Sequence, residues 1–241
     1  PRSAKDFEDI KEFIPENLVT KVAKELNKLD YRGIIRFSGF VEPMLDKNIY
    51  NHIKNFKSHL PNCRIEMVTN GDVLNAERLK KLFVNGLNKI LISAYDGAED
   101  VKKFEDIVSK CELNSDQYII RDRSLPEEED FGITLSNRSG MMENAEYKIA
   151  KLNEPLKNPC YIPSYTLFFD YLGDVLICPH DWGKKIILGN LKEENLLDIW
   201  FKEKSMKVRK KLSNSNRRFA PCNVCDVNGT LMGEVNSKYY M

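Results

Sequence analysis

Four of the six cysteines in this 241-residue chain are gathered late: Cys160, Cys178, Cys222 and Cys225. The last two form a knuckle, Cys222-Asn223-Val224-Cys225, whose two-residue spacer lets both sulfurs point into one site. Cys178 comes five residues after Gly173, in a stretch that reads as a hairpin and aims it back toward Cys160. Four thiolates satisfy either a structural zinc ion or a 4Fe–4S cluster, and the spacing alone leaves both open. A zinc ribbon more usually shows two knuckles, and here there is one. Cys63 and Cys111 end helical stripes and are expected to be small apolar fillers. Of the three histidines, His52 and His59 are expected on the polar side of one helix and His180 in a loop. That leaves little for a His-based hydrolase or a mononuclear metalloenzyme.

Composition narrows the classes further. With 37 basic and 36 acidic residues the formal net charge is +1, so no global field draws in nucleic acid or anionic lipid. No apolar run approaches the roughly 18 residues of a membrane span. With mean hydropathy at −0.46, the chain reads as a soluble, cytoplasmic globular protein without nucleic-acid or membrane partners. No signal peptide is visible in PRSAKDFEDI, so the thiols are expected to be reduced or metal-bound rather than paired in disulfides.

The elements that would position these groups alternate regularly from residue 15 to about 135. Leu18, Val22, Leu26 and Leu29 recur at helical spacing, as do Ile49, Ile53, Phe56 and Leu60. So do Leu74, Leu79, Leu82 and Phe83, then Val101, Phe104, Ile107 and Val108. Between and after them, strands are predicted at 33–38, 65–69, 89–94, 118–121 and 131–135. Strands separated by single helices imply right-handed crossovers and a parallel sheet, open or part of a barrel. The run Glu127-Glu128-Glu129-Asp130 reads as a solvated loop. After about residue 145 prolines cluster around Cys160. A hairpin is predicted over 167–177 and one helix around Leu196–Trp200. A domain boundary is placed there, giving residues 1–145 and 146–241.

Ligands of parallel α/β sheets sit at the carboxyl ends of the strands. Those ends read Ser38-Gly39-Phe40-Val41-Glu42-Pro43, Thr69-Asn70-Gly71, Ser93-Ala94-Tyr95-Asp96-Gly97, Arg121-Asp122-Arg123 and Ser136-Asn137-Arg138-Ser139-Gly140. Small residues admit a ligand to the backbone, carboxylates and amides fix amines and hydroxyls, and arginines take carboxylates. Turns alone also favour such residues.

These segments resemble those of the radical S-adenosylmethionine (SAM) enzymes that carry a SPASM or twitch auxiliary domain. Phe37 to Leu45 is similar to the family's Gly-Gly-Glu-Pro segment, with Val41 where Gly often stands. Thr69-Asn70-Gly71 and Ser93 to Gly97 resemble the ends of its third and fourth strands. The order Cys160, Gly173-x4-Cys178, Cys222-x2-Cys225, with Gly189-Asn190-Leu191 and Asp198-Ile199-Trp200 between, resembles the opening of the SPASM pattern. The resemblance covers nearly the whole chain and favours iron–sulfur over zinc.

It implies an α/β fold, a partial (β/α)6-type parallel barrel followed by a small α+β hairpin-plus-helix cluster-binding domain. It implies reductive cleavage of SAM to a 5′-deoxyadenosyl radical that takes hydrogen from a peptide or small molecule, with an electron donor such as flavodoxin or ferredoxin. Glu42 would accept from the methionine amine, with the Gly39, Phe40 and Val41 backbone beside it. Asn70 and Ser93 would reach the ribose, and Arg121 or Arg138 a carboxylate of cofactor or substrate. Cys160, Cys178, Cys222 and Cys225 would hold one auxiliary 4Fe–4S cluster with no open iron, suited to electron transfer or pocket support. The absence of cysteines after Cys225 argues against a second auxiliary cluster. The radical-generating cluster would bind a three-cysteine loop that often ends Cys-Pro-Arg-Ser. Since this chain begins Pro1-Arg2-Ser3, the protein is expected to extend upstream, and the chain as given to be catalytically silent. The reading from another class is a non-catalytic, zinc-stabilised α/β binding module.

Overall fold

The computed structural model describes residues 12–123, 136–145 and 148–240. Contacts divide them into two compact units, residues 15–123 and residues 136–240 with 12–14. The predicted strand at 131–135 and the acidic run at 127–130 lie outside the described residues, as does Pro1-Arg2-Ser3.

In the first unit, Leu18, Val19, Val22, Ala23 and Leu26 form the buried stripe of α1 (Glu16–Lys28), which packs on α2 (Ile49–His59) through Ile49, Ile53 and Phe56. Helix α3 (Ala76–Val84) starts where the Asn75 side chain accepts from Arg78 N at 2.9 Å. Helix α4 (Ala98–Ser109) starts after Gly97 at φ 87°. Between them run β1 (Ile34–Phe37), β2 (Arg64–Thr69), β3 (Lys89–Ala94) and β4 (Tyr118–Asp122). These pair in parallel in the order β1-β2-β3-β4. Single-helix crossovers of one hand put all helices on one face of such a sheet. Ile65, Met67, Ile90, Ile92 and Ala94 point there and are fully buried with Leu79, Leu82 and Phe104.

The register places the alternate residues together on the other face: Arg36, Glu66, Val68, Leu91, Ser93, Ile119 and Arg121. Four isolated-looking polar residues in apolar strands are therefore one surface. The predicted strands at 33–38, 65–69, 89–94 and 118–121 match these four to within two residues.

The second unit holds an antiparallel sheet of β5 (Phe168–Phe169), β6 (Asp174–Leu176) and β7 (Ile187–Asn190). The β5–β6 turn forms because Asp170 Oδ1 accepts from Leu172 N and Asp174 N, at 2.9 and 3.0 Å, while Gly173 takes φ 87°. A short helix, α5 (Ile162–Tyr165), precedes the sheet. Helices α6 (Leu196–Phe201) and α7 (Glu203–Ser213) follow it, and α8 (Glu234–Ser237) comes near the end. Sequence reading expected one helix after the hairpin and gave no strand at 187–190. Strand β7 is four residues with a central glycine. Helix α7, EKSMKVRKKLS, buries Ser205, Arg209 and Ser213 beside Val208 and Leu212, so its inner face is half polar and carries a weak apolar period.

Candidate functional site

In the sheet unit, the segment after β1 is organised by one carboxylate. Gly39 has φ 121°, a conformation that side chains avoid, and it turns the chain toward Glu42. Glu42 Oε1 accepts from Met44 N at 2.9 Å, capping the single 3-10 turn Pro43–Leu45, and from Thr69 Oγ1 at 2.7 Å. Its Oε2 accepts from Asn70 N at 2.8 Å. The carboxylate thus ties the β1 end to the β2 end. Three of its roughly four lone-pair positions are used, and one on Oε2 is left for a further donor. The Asn70 amide bonds Asp72 through both ends, at 2.7 and 3.1 Å. Val41 is exposed, and Phe40 lies between it and Gly39.

Ser93 is buried and registers opposite Arg121. Burial holds the Arg121 guanidinium below its ordinary value, as do the like charges of Arg123 and Arg36. Arg36 and Arg121 stand on the two edge strands of the described sheet, about 14 Å apart at the ladder spacing, on the same face, and the Arg36 charge still reaches Arg121. Glu66, the acid beneath them, takes Arg36 Nη2 at 2.5 Å and Arg64 Nε at 2.7 Å. Sequence reading missed Arg36 and Glu66, because a charged residue within an apolar strand shows its partner only once the register is known.

His52 needs correction. It is fully buried rather than on a polar face, with Nε2 3.3 Å from Asp46 Oδ2. Cys63 and Cys111 are the buried fillers expected. Their Sγ atoms reach the carbonyls of Tyr31 and Ile107 at 2.9 and 3.2 Å.

In the second unit the four late thiols line one small pocket, together with His180 and Arg217. Cys160 is fixed at the start of α5 by its N–H to Leu212 O at 3.0 Å. Cys178 follows β6, and Cys222 and Cys225 flank a single 3-10 turn. The turn at 136–140 clamps the knuckle. Asn137 Nδ2 donates to Val224 O at 2.6 Å, and Asn137 N donates to Asp226 Oδ2 at 2.7 Å. Gly229, at φ 77°, lies so close that an added Cβ would fall on Cys160 Sγ.

Burial pushes the Cys160 thiol up, sends Cys178 well above its ordinary value and takes Cys222 to about 12. Neighbouring cysteines add to each shift, and Arg217 opposes it at Cys160 and Cys222. Positive charge entering the pocket would favour the thiolate form of these three. For the metal-free protein the sign follows. Thiols raised in the fold give stability that is present below the unfolded value, about 8.5, and lost as pH rises through their folded values. The urea midpoint of metal-free, reduced protein should therefore fall between about pH 8.5 and about 10.5, and a rising midpoint would contradict this placement.

His180 lies in a turn, as expected, and it has partners there: its Nδ1 lies 3.0 Å from Ser136 Oγ and 3.4 Å from Arg138 Nη1. Burial, then Arg138, lowers it to about 4. A neutral ring facing a guanidinium accepts at Nδ1, which puts its proton on Nε2. Arg138, read from sequence beside Arg121, belongs to this unit and stacks 5.1 Å from the Trp182 ring.

Zinc, with Zn–S near 2.3 Å, needs sulfurs about 3.8 Å apart. A 4Fe–4S cluster takes each thiolate on a different iron, so its ligands ring a wider space. Four thiols around one pocket fit a cluster in number and in kind.

Comparison with known proteins agrees. The SPASM iron–sulfur cluster-binding domain matches residues 160–226. The S-adenosyl-L-methionine-dependent 2-deoxy-scyllo-inosamine dehydrogenase of Niallia circulans is 29% identical over 201 residues, 83% of this chain and 75% of that protein. The crystal structure of BtrN in complex with AdoMet and 2-DOIA superposes with a TM-score of 0.76 at 26% identity, covering 97% of this chain and 87% of BtrN. An open conformation of BtrN, at 23% identity and TM-score 0.65 over 89% and 80% of the two chains, shares the fold. The SPASM segment around the four late cysteines and the SAM-dependent relative along most of the chain support a radical SAM enzyme that carries a SPASM iron–sulfur domain, with SAM and 4Fe–4S clusters as its cofactors.

Proposed function

We propose that this enzyme removes hydrogen from a hydroxylated small molecule, with one auxiliary 4Fe–4S cluster held by Cys160, Cys178, Cys222 and Cys225. The observation that carries the reading is the ring of four thiols around one cavity inside the segment that matches the SPASM domain. The Niallia circulans relative is a dehydrogenase of 2-deoxy-scyllo-inosamine, which favours a small molecule over a peptide. The four-stranded sheet is read as part of a (β/α)6-type barrel, residues 1–145 as the barrel region and 146–241 as the auxiliary domain.

When bound, SAM supplies on reductive cleavage a 5′-deoxyadenosyl radical that takes a hydrogen atom from carbon. The chain's own task is to hold and orient. Glu42 offers its remaining Oε2 lone pair to the methionine amine, beside the Gly39, Phe40 and Val41 backbone. Ser93 and Asn70 lie at strand ends where ribose hydroxyls would be met. Arg121 or Arg138 offers charge to a carboxylate of cofactor or substrate. Electrons come from a flavodoxin- or ferredoxin-type donor.

The test is to incubate full-length, cluster-loaded protein with SAM, dithionite and 2-deoxy-scyllo-inosamine, and to analyse it by mass spectrometry. Formation of 5′-deoxyadenosine with a product lacking two hydrogens is expected. No 5′-deoxyadenosine under reduction would contradict the reading. A narrower expectation concerns the cradle: Gly229→Val should cost at least half of the bound iron, because its side chain displaces Cys160 Sγ. Full iron content in that variant would remove Cys160 from the ligand set.

A further inference from the structure

Arg217 is the bulkiest of the fully buried side chains among the described residues, 2% exposed. Its guanidinium donates only to main-chain oxygens. Nε reaches Asn158 O at 2.9 Å, Nη1 reaches Val227 O at 2.7 Å, and Nη2 reaches Pro159 O at 2.6 Å and also Asn228 O. These carbonyls satisfy four of its five hydrogens but bring no opposite charge. Arg36, by contrast, rests on Glu66. An arginine does not deprotonate, and a buried charge without an opposite charge costs several kcal/mol. Among the described residues no carboxylate forms an ion pair with Arg217; Asp181, which also lies near Cys222, is held instead by Lys185 N at 3.0 Å and Ile186 N at 2.9 Å.

Arg217 lines the thiol cavity, and its charge reaches Cys160 and Cys222. Four thiolates outweigh the positive core of a 4Fe–4S cluster in both of its electron-transfer states. Adding one electron, with no proton, makes the site more negative still. A fixed positive charge beside it favours the reduced form.

We propose that Arg217 is the resident counter-charge of the auxiliary cluster and raises its reduction potential. The inference rests on the cysteine assignment above. Arg217 touches neither substrate nor cofactor in this role and acts through the charge it places beside the cluster.

The experiment is a mediated spectroelectrochemical titration, with dithionite as reductant, of the anaerobically reconstituted full chain as wild type, Arg217→Gln and Arg217→Lys. In the Gln variant the reduced-to-oxidised ratio at fixed potential should fall at least tenfold, about 59 mV for one electron. The Lys variant, which keeps a positive charge, should show less than half of that shift. Equal midpoints in wild type and Gln variant would overturn the proposal. So would equal shifts in both variants, because lost carbonyl contacts would then explain them. If the Gln variant does not hold a cluster, iron retention against EDTA is compared: retention by Lys alone supports the counter-charge, and loss from both overturns it. A wild-type chain that takes up zinc without sulfide overturns the cysteine assignment and this proposal together, whereas the other failures leave a cluster in place.

Discussion

Cys178→Ala is expected to strip the auxiliary cluster and to destabilise residues 136–240 by more than about 4 kcal/mol, the range reached when a metal centre is lost. The effect is large because of where Cys178 sits. It follows β6, lines the thiol cavity and is surrounded by the other three late cysteines, whose charges all reach it. The centre joins the end of β6, the segment just before α5 and the knuckle after α7, so removing one ligand unties all three from one another. The same substitution at Cys63 or Cys111 should cost only about 1 kcal/mol, the scale of a lost small apolar side chain, and leave iron unchanged. Iron analysis and urea unfolding of the three variants check this. Equal iron loss from Cys63→Ala would mean that the six cysteines are not divided between core and cluster in this way.

Glu42→Gln should lower stability by roughly 1–3 kcal/mol and, in full-length cluster-loaded protein, weaken SAM binding by about tenfold. The stability loss comes from hydrogen-bond direction. All three present partners donate: Met44 N, Thr69 Oγ1 and Asn70 N. An amide NH2 must face at least one of them, leaving two donors opposed. The affinity loss comes from the remaining Oε2 lone pair, which an amide nitrogen cannot replace. Thermal unfolding and calorimetric titration with SAM separate the two. Reduced stability with unchanged affinity would make Glu42 a cap that ties β1 to β2 and nothing more.

Short-range pattern carried much of the fold. Strands β1 to β4 and their helices are legible because each buries one apolar stripe or run, and the turn pair Asn70-Gly71 and the Asp170–Gly173 turn mark their own boundaries. Helix α7 was not legible, because its inner face holds Arg209, which donates to Pro163 O and Trp200 O and stacks on the Trp200 ring. Those partners lie up to 46 residues away in sequence. The cysteine spacing exposed the thiol site. Arg217, which also lines it, gave no signal, and His180 read only as a loop residue beside Cys178, since burial of a polar side chain depends on carbonyls and hydroxyls that only the fold brings together. Likewise Arg36 and Glu66 become one pair only through the parallel register of β1 on β2.

The central claim is that Cys160, Cys178, Cys222 and Cys225 hold an iron–sulfur cluster, and metal analysis of this chain tests it most directly. After anaerobic reconstitution with iron and sulfide, and with equimolar zinc offered in competition, about four iron and four sulfide per chain are expected, as for a 4Fe–4S cluster held by four thiolates. One zinc per chain with no acid-labile sulfide would contradict the claim.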